Sequence, residues 1–348
     1  MAATKTNTSV VSRITTIPVV PASERKGIIG GSQVGSILGI SGCYGSQFDV
    51  WRAFMGYPEQ TTDTMKESFY AGNRLEEPIA QWFSHTMKQP LKELDVQYID
   101  PDEPRLVLHP DREFANTVGG KRYAVECKTA SVFAMRGDKW PEPVPLEGSR
   151  IPSWVPTHYD DGRPLVIYDG ESLLPGYYAQ CLWYMALAGY DGVFLARLTD
   201  NRLHFYYVEP NLEYERLLYD NARRWLAKVD SGWRPPMETV DQVRQFFPKA
   251  DPGKVFVAGG SFLDELEHYE RLDAKKKALD QEIDESKARI AEMMGDCELA
   301  KDSEGTKLCT FKGGTQTRFD SATFKKDEPE LYEQYSKKTE TARSLRIA

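Results

Sequence analysis

The feature that most constrains the fold is a change of hydrophobic rhythm along the chain. From Asp63 to Met87 the apolar residues Phe69, Leu75, Ile79, Trp82 and Phe83 recur at roughly helical spacing. Three short strand-like runs follow, Leu94–Ile99, Arg105–His109 and Arg122–Lys128, with Gly119-Gly120 marking a turn before the last. The rhythm then returns to a helix over Leu174–Leu187, strands over Gly192–Leu198 and Leu203–Val208, and a helix over Leu212–Val229. Helices and strands interleaved in this way predict an α/β domain. Pro78 is expected to kink or split the first long helix. Upstream, Ser32 and Ser46 are placed to cap short helices reaching Leu38 and Phe54.

The texture changes again after Pro248. The reading is a flexible tail over 1–23, a main domain over 24–247, a linker over 248–260 and a charged segment over 261–348. That last segment holds a long helix (Phe262–Met294), a hairpin (Cys297–Phe311) and a final helix (Pro329–Tyr335). Leu272, Leu279, Ile283, Ile290 and Met293 lie near heptad spacing, the mark of a helix that pairs with something. A Pro-, Gly-, Asp- and Trp-rich insertion occupies 137–170.

Several classes are excluded. No apolar run approaches the roughly 20 residues needed to cross a bilayer. The first 20 residues lack a basic start followed by an apolar core, so a cytoplasmic location is expected. The five cysteines are scattered without C-x-x-C spacing, against a zinc site, an iron–sulfur cluster or a disulfide framework. The five histidines form no ligand spacing, and there is no phosphate loop of the G-x-x-x-x-G-K-[ST] kind and no G-x-S-x-G elbow. A net charge of −8 argues against a surface that coats nucleic acid, so any basic track has to be local.

The chemistry concentrates around Val125-Glu126-Cys127-Lys128. Alternate residues of a strand face the same side, so Glu126 and Lys128 share one face and Cys127 takes the other. Alone, such a pair reads as a solvated ion pair. Pro110-Asp111 follows the preceding strand, and a glycine-bearing turn can bring Asp111 beside Glu126. Two carboxylates and a lysine at one sheet edge suit Mg²⁺, which uses one or two protein carboxylates with waters and phosphate. Lys128 can then orient water or stabilise charge on the phosphate. Glu76, in Gly72-Asn73-Arg74-Leu75-Glu76, is a candidate third carboxylate. Gln180 sits on an otherwise apolar helix and needs a hydrogen-bond partner.

In combination and in order, these residues resemble the YqaJ and lambda-exonuclease family of phage recombination nucleases, within the PD-(D/E)XK superfamily. Arg25-Lys26-Gly27-Ile28-Ile29-Gly30-Gly31-Ser32 looks like the family's opening R-x-G-x-x-x-x-S segment. Gly72 to Glu76 resembles its G-x-x-x-E helix, and Pro110-Asp111 with Glu126-Cys127-Lys128 its PD and E-x-K pair. Tyr178-Ala179-Gln180 resembles its aromatic-x-Q helix. The match spans roughly 24–208. The resemblance implies a PD-(D/E)XK core, a central mixed sheet flanked by helices, with a C-terminal helical extension. It also implies Mg²⁺ or Mn²⁺ held by Asp111 and Glu126 with Glu76, and catalysis by these residues with Lys128 and Gln180. The implied activity is resection of double-stranded DNA ends, 5′ to 3′, with Arg25 and Ser32 on the 5′ phosphate. By analogy it further implies homo-oligomers, a single-strand annealing partner and a bacterial host cytoplasm.

One departure is Arg112, where the family usually has glycine after the aspartate; this puts the local turn in question. The 137–170 insertion is long for the family and offers Trp140, Trp154, Arg136 and Lys139 for a DNA channel, or for buried packing. Two other readings stand beside this one: an endonuclease of the same superfamily, and a non-catalytic DNA-end-binding protein.

Overall fold

The computed structural model describes residues 10, 14–20, 25–40, 43, 45–57, 63–130, 141–337 and 342–347. It falls into two compact units, Met1–Gln245 and Phe246–Ala348. The first unit opens with β1 (Thr15–Pro18), α1 (Gly31–Ile37), α2 (Gln47–Phe54) and α3 (Asp63–Met87). Then come β2 (Leu91–Lys92), β3 (Val96–Asp100), β4 (Glu103–Leu108), β5 (Arg112–Phe114) and β6 (Tyr123–Thr129). It continues with β7 (Ile167–Asp169), α4 (Pro175–Ala188), β8 (Gly192–Thr199), β9 (Arg202–Val208) and α5 (Leu212–Asp230); α6 (Val240–Phe246) runs to the boundary.

Six strands form the central mixed sheet, in the order β2-β5-β6-β8-β9-β7. The β6–β8 and β7–β9 pairs are parallel and the rest antiparallel. A parallel neighbour requires a crossover, and α4 supplies it between β6 and β8. Because helices cover both faces, β6 reads as the unbroken buried run Tyr123–Cys127. Tyr123, Val125 and Cys127 join Phe83 of α3 in one core cluster. The alternate residue Glu126 reaches α4 on the opposite face. Helix α4 is apolar all round and ten of its residues are buried, as a helix enclosed on all sides must be. Pro175 starts it, and Gly189 ends it in the left-handed conformation at φ 65°.

Three expectations need correction. Ser32 does not cap α1: the cap is Gly30, whose N–H donates to the Gln33 side chain at 2.9 Å, and Ser32 lies within the first turn. Gly31 lets the helix start two residues earlier. A Cβ there would lie 2.7 Å from Tyr184 and 3.1 Å from Gln180, so only glycine lets α1 close on α4. Second, α3 is not split at Pro78 but runs through it as one helix, because Pro78 and Arg74 one turn earlier are exposed and water can satisfy the freed carbonyl. Third, Thr15–Pro18 of the expected tail form a strand antiparallel to β3, which pairs in turn with β4. Of the two roles open to Trp154 the structure shows packing: it meets Phe114, Tyr123 and Phe194 edge-on in the core. Arg136, Lys139 and Trp140 lie outside the described residues.

Ser46 does cap α2, accepting from Asp49 N at 3.3 Å. In the second unit α7 (Gly260–Met294) is followed by the antiparallel pair β10 (Leu299–Lys301) and β11 (Lys307–Thr310), then α8 (Ser321–Asp327) and α9 (Pro329–Tyr335).

Glu215, on the first turn of α5, is 2% exposed. Burial pushes its carboxyl up to about 7, although it accepts a hydrogen bond from Asn211 N. The fold therefore favours the protonated acid, and that stability is lost as pH rises from about 4.5 to about 7. Glu215→Gln keeps the acceptor without the charge. Its gain in urea-unfolding stability is expected to be larger at pH 8.5 than at pH 5.5 by about 2 kcal/mol. Equal gains at both pH values would count against this reading.

Candidate active site

Asp111 sits at the entry to β5, directly before a strand paired antiparallel with β6. Its Oδ2 accepts from Cys127 N at 2.7 Å, which fastens it across the middle of β6. Continuing the Arg112–Val125 register brings Asp111 opposite Glu126. Glu126 is 2% exposed, and charge at that depth must be met by partners. Three are present. Lys128 Nζ donates to Oε1 at 2.5 Å, Gln180 Nε2 donates to Oε1 at 2.6 Å, and Tyr184 OH donates to Oε2 at 2.8 Å. The Gln180 amide also reaches Tyr184 OH at 2.7 Å, closing the network. The Lys128 ammonium lies 5.4 Å from the centre of the Tyr177 ring.

The electrostatics follow from this crowding. Burial, then the negative charge of Glu126, pushes the Asp111 carboxyl well above the usual carboxylate range; Lys128 pulls the other way and Glu76 adds to the push. Burial works against a charged Lys128, but Glu126 and Asp111 outweigh it and hold the ammonium above its ordinary value. Burial and the same two carboxylates keep the Tyr184 phenol protonated, hence a donor.

Glu76 is brought to this region but not into the Glu126 network. Arg112, 6% exposed, donates from one terminal nitrogen to Glu76 Oε1 at 2.6 Å and to the Asp111 carbonyl at 2.5 Å. Its other terminal nitrogen donates to Glu77 Oε2 at 2.7 Å. The residue standing where the resemblance has glycine therefore enters β5 without breaking the turn and ties α3 to the aspartate. Another buried carboxylate, Glu113, is engaged elsewhere by Tyr98, Tyr190, Arg122 and Lys92.

Ser32 is exposed on the first turn of α1, next to Gly31 against Gln180 and Tyr184. Arg25 donates from Nε to the Val20 carbonyl at 3.0 Å, and among the described residues no contact draws it to the carboxylates. Tyr184 was missed from the sequence. Its signal was its place four residues after Gln180 on the same helix face.

Among the described residues, no group of three or more His, Cys, Asp and Glu side chains is arranged to hold a metal ion. Glu76 is engaged in its ion pair with Arg112. Asp111 and Glu126 nevertheless fit a hard divalent cation. They are adjacent oxygen donors whose mutual repulsion a cation would relieve, and Mg²⁺ commonly takes only one or two protein carboxylates. No helix among the described residues is long and apolar enough to cross a membrane.

Residues 22–191 match the family model of a YqaJ-like viral recombinase domain. No curated protein matches the chain. Among solved structures, an alkaline exonuclease (LHK-Exo) from Laribacter hongkongensis is 13% identical, with a TM-score of 0.40 over 60% of this chain and 90% of that one. A phage related exonuclease from Haemophilus somnus 129PT is 11% identical, with a TM-score of 0.37 over 59% of this chain and 96% of that one.

Proposed function

We propose that this chain, whose residues 22–191 match the family model of a YqaJ-like viral recombinase domain, is a metal-dependent exonuclease that resects double-stranded DNA ends from the 5′ strand. The observation that carries the reading is the Glu126 network: a buried carboxylate beside Asp111, held by Lys128, Gln180 and Tyr184.

Asp111 and Glu126 are the residues that would hold Mg²⁺ or Mn²⁺, with Glu76 as the third carboxylate when Arg112 releases it. The cation would supply Lewis acidity, polarising the scissile phosphate and acidifying water. The rest falls to the chain. Gln180 and Tyr184 fix the orientation of Glu126, and the neutral phenol keeps a donor there throughout. Lys128 positions the attacking water and offsets charge developing on the phosphate as the P–O bond breaks. Arg25 and Ser32 bind the 5′ phosphate, Ser32 from the turn that Gly31 presses against α4. A homo-oligomer in the host cytoplasm, working beside a single-strand annealing protein, completes the proposal.

The test uses linear duplex labelled at the 5′ or 3′ end, with covalently closed circular DNA and the Asp111→Ala protein alongside. The expected result is early release of 5′-terminal nucleotides, from linear DNA only, with Mg²⁺ or Mn²⁺ and with Asp111 intact. Cutting of the closed circle would instead make the chain an endonuclease of the same fold. Absence of cleavage with either metal would leave a DNA-end-binding protein.

A further inference from the structure

None of the 35 residues of α7 is buried, although the helix carries a regular apolar seam. Taking Phe262 as the first position of a seven-residue repeat, the first positions are Phe262, Tyr269, Lys276, Ile283 and Ile290. The fourth positions are Glu265, Leu272, Leu279, Ser286 and Met293. Every apolar member of this set is at least 45% exposed. A repeat of seven, and not 3.6, is the pattern of a seam that faces another helix along its whole length. The helix spans about 50 Å at 1.5 Å per residue. Leaving such a stripe to water would be costly.

The charges beside the seam indicate which helix covers it. In a parallel two-stranded coil, the seventh position of one helix meets the fifth position of the next repeat on the other. Here those pairs are His268 with Asp273, Lys275 with Asp280 and Glu282 with Lys287. The two fully charged pairs attract, and the first does so when His268 is protonated. The antiparallel alternative that overlaps the same seam residues sets Asp273 against Asp280 of the second copy and His268 against Arg289, leaving Lys275 with Glu282 as its one attractive pair. The single Lys276 at a first position also suits two strands in register, since its stem can pack while its head reaches water. Within one chain, Asp273 pairs with Lys277 and Lys287 with Asp284, but these are exposed contacts on the helix surface that can be exchanged.

We propose that α7 is a self-association element: two copies of this chain join through it as a parallel, in-register, two-stranded coiled coil. The inference stands on α7 alone and does not depend on the nuclease chemistry.

The test uses the full chain. With Cys297, which is exposed, replaced by Ser in every sample, Ser286→Cys puts a thiol at a seam position that meets itself only in the parallel, in-register pair. Mild oxidation is expected to convert most of that variant to a cross-linked dimer, and not the Cys297→Ser parent. Light scattering is expected to give half the parent mass for Leu279→Asp with Ile283→Asp where the first unit does not itself join the same two copies. Lys275→Glu is expected to weaken pairing at least tenfold, and adding Asp280→Lys to restore it. A halved mass without the 286 cross-link would mean antiparallel pairing and overturn the proposal. An unchanged mass in the seam variant would do the same, since α7 would then be covered by its own chain or another protein.

Discussion

Lys128→Ala is expected to bind duplex ends as the parent does and to cleave them about 10²–10³-fold more slowly. The reason lies in where the ammonium sits. It donates to Glu126 at 2.5 Å, and two carboxylates hold it charged against burial. Removing it leaves Gln180 and Tyr184 still holding Glu126, so the carboxylate keeps its place while the ammonium proposed to face the reacting phosphate is lost. Single-turnover cleavage at saturating metal reads the chemical step, and fluorescence anisotropy with a labelled duplex in Ca²⁺ reads binding. A unique structural role would instead show as a lowered unfolding midpoint with both activities falling together. Cleavage within a few-fold of the parent would remove Lys128 from the mechanism.

Phe194→Ala is expected to cost about 3–5 kcal/mol of unfolding free energy, measured by urea denaturation. Phe194 is fully buried, and its ring lies 4.8 Å from Tyr207, 5.5 Å from Phe83 and from Trp154, and 6.2 Å from Phe114, centre to centre. Those partners come from α3, β5, β9 and the insertion, so one truncation loosens every layer on that side of the sheet. The strand also matters for the site. Leu195, the next residue, is the register partner of Glu126, and a shift of β8 moves the floor under the carboxylate. A loss below about 1 kcal/mol would mean that the cluster repacks around the cavity.

Much of the architecture was legible before the structure. The strands expected at Arg122–Lys128, Gly192–Leu198 and Leu203–Val208 fall within one residue of β6, β8 and β9, and the helices at Leu174 and Leu212 agree as closely. These segments are long, strongly periodic and bounded by proline or glycine. The short strands β2, β5 and β7 escaped notice. Two or three residues carry too little rhythm, and such strands exist only because a neighbour supplies the hydrogen bonds. Strand β1 escaped for a related reason: its residues look like a tail until β3 is there to pair with.

The candidate site divides along the same line. The sequence by itself determined that Glu126 and Lys128 share a face, since strand alternation is a property of adjacent residues. It also marked Gln180 as an amide in want of a partner and put Asp111 just past the strand that is β4, yet β4 lies in a separate three-stranded sheet and it is β5, unseen in the sequence, that sets Asp111 beside Glu126. How each charge is met depends on the packing of distant elements. That packing placed Gln180 and Tyr184, 54 and 58 residues from Glu126, on its two oxygens. It also turned Arg112 into the partner of Glu76, 36 residues earlier. Periodicity is written into consecutive residues, whereas the choice of ion partner depends on separations of a few ångströms between elements far apart in the chain. Coulomb and hydrogen-bond energies are steep over those distances, so the pairing is settled only when the layers close.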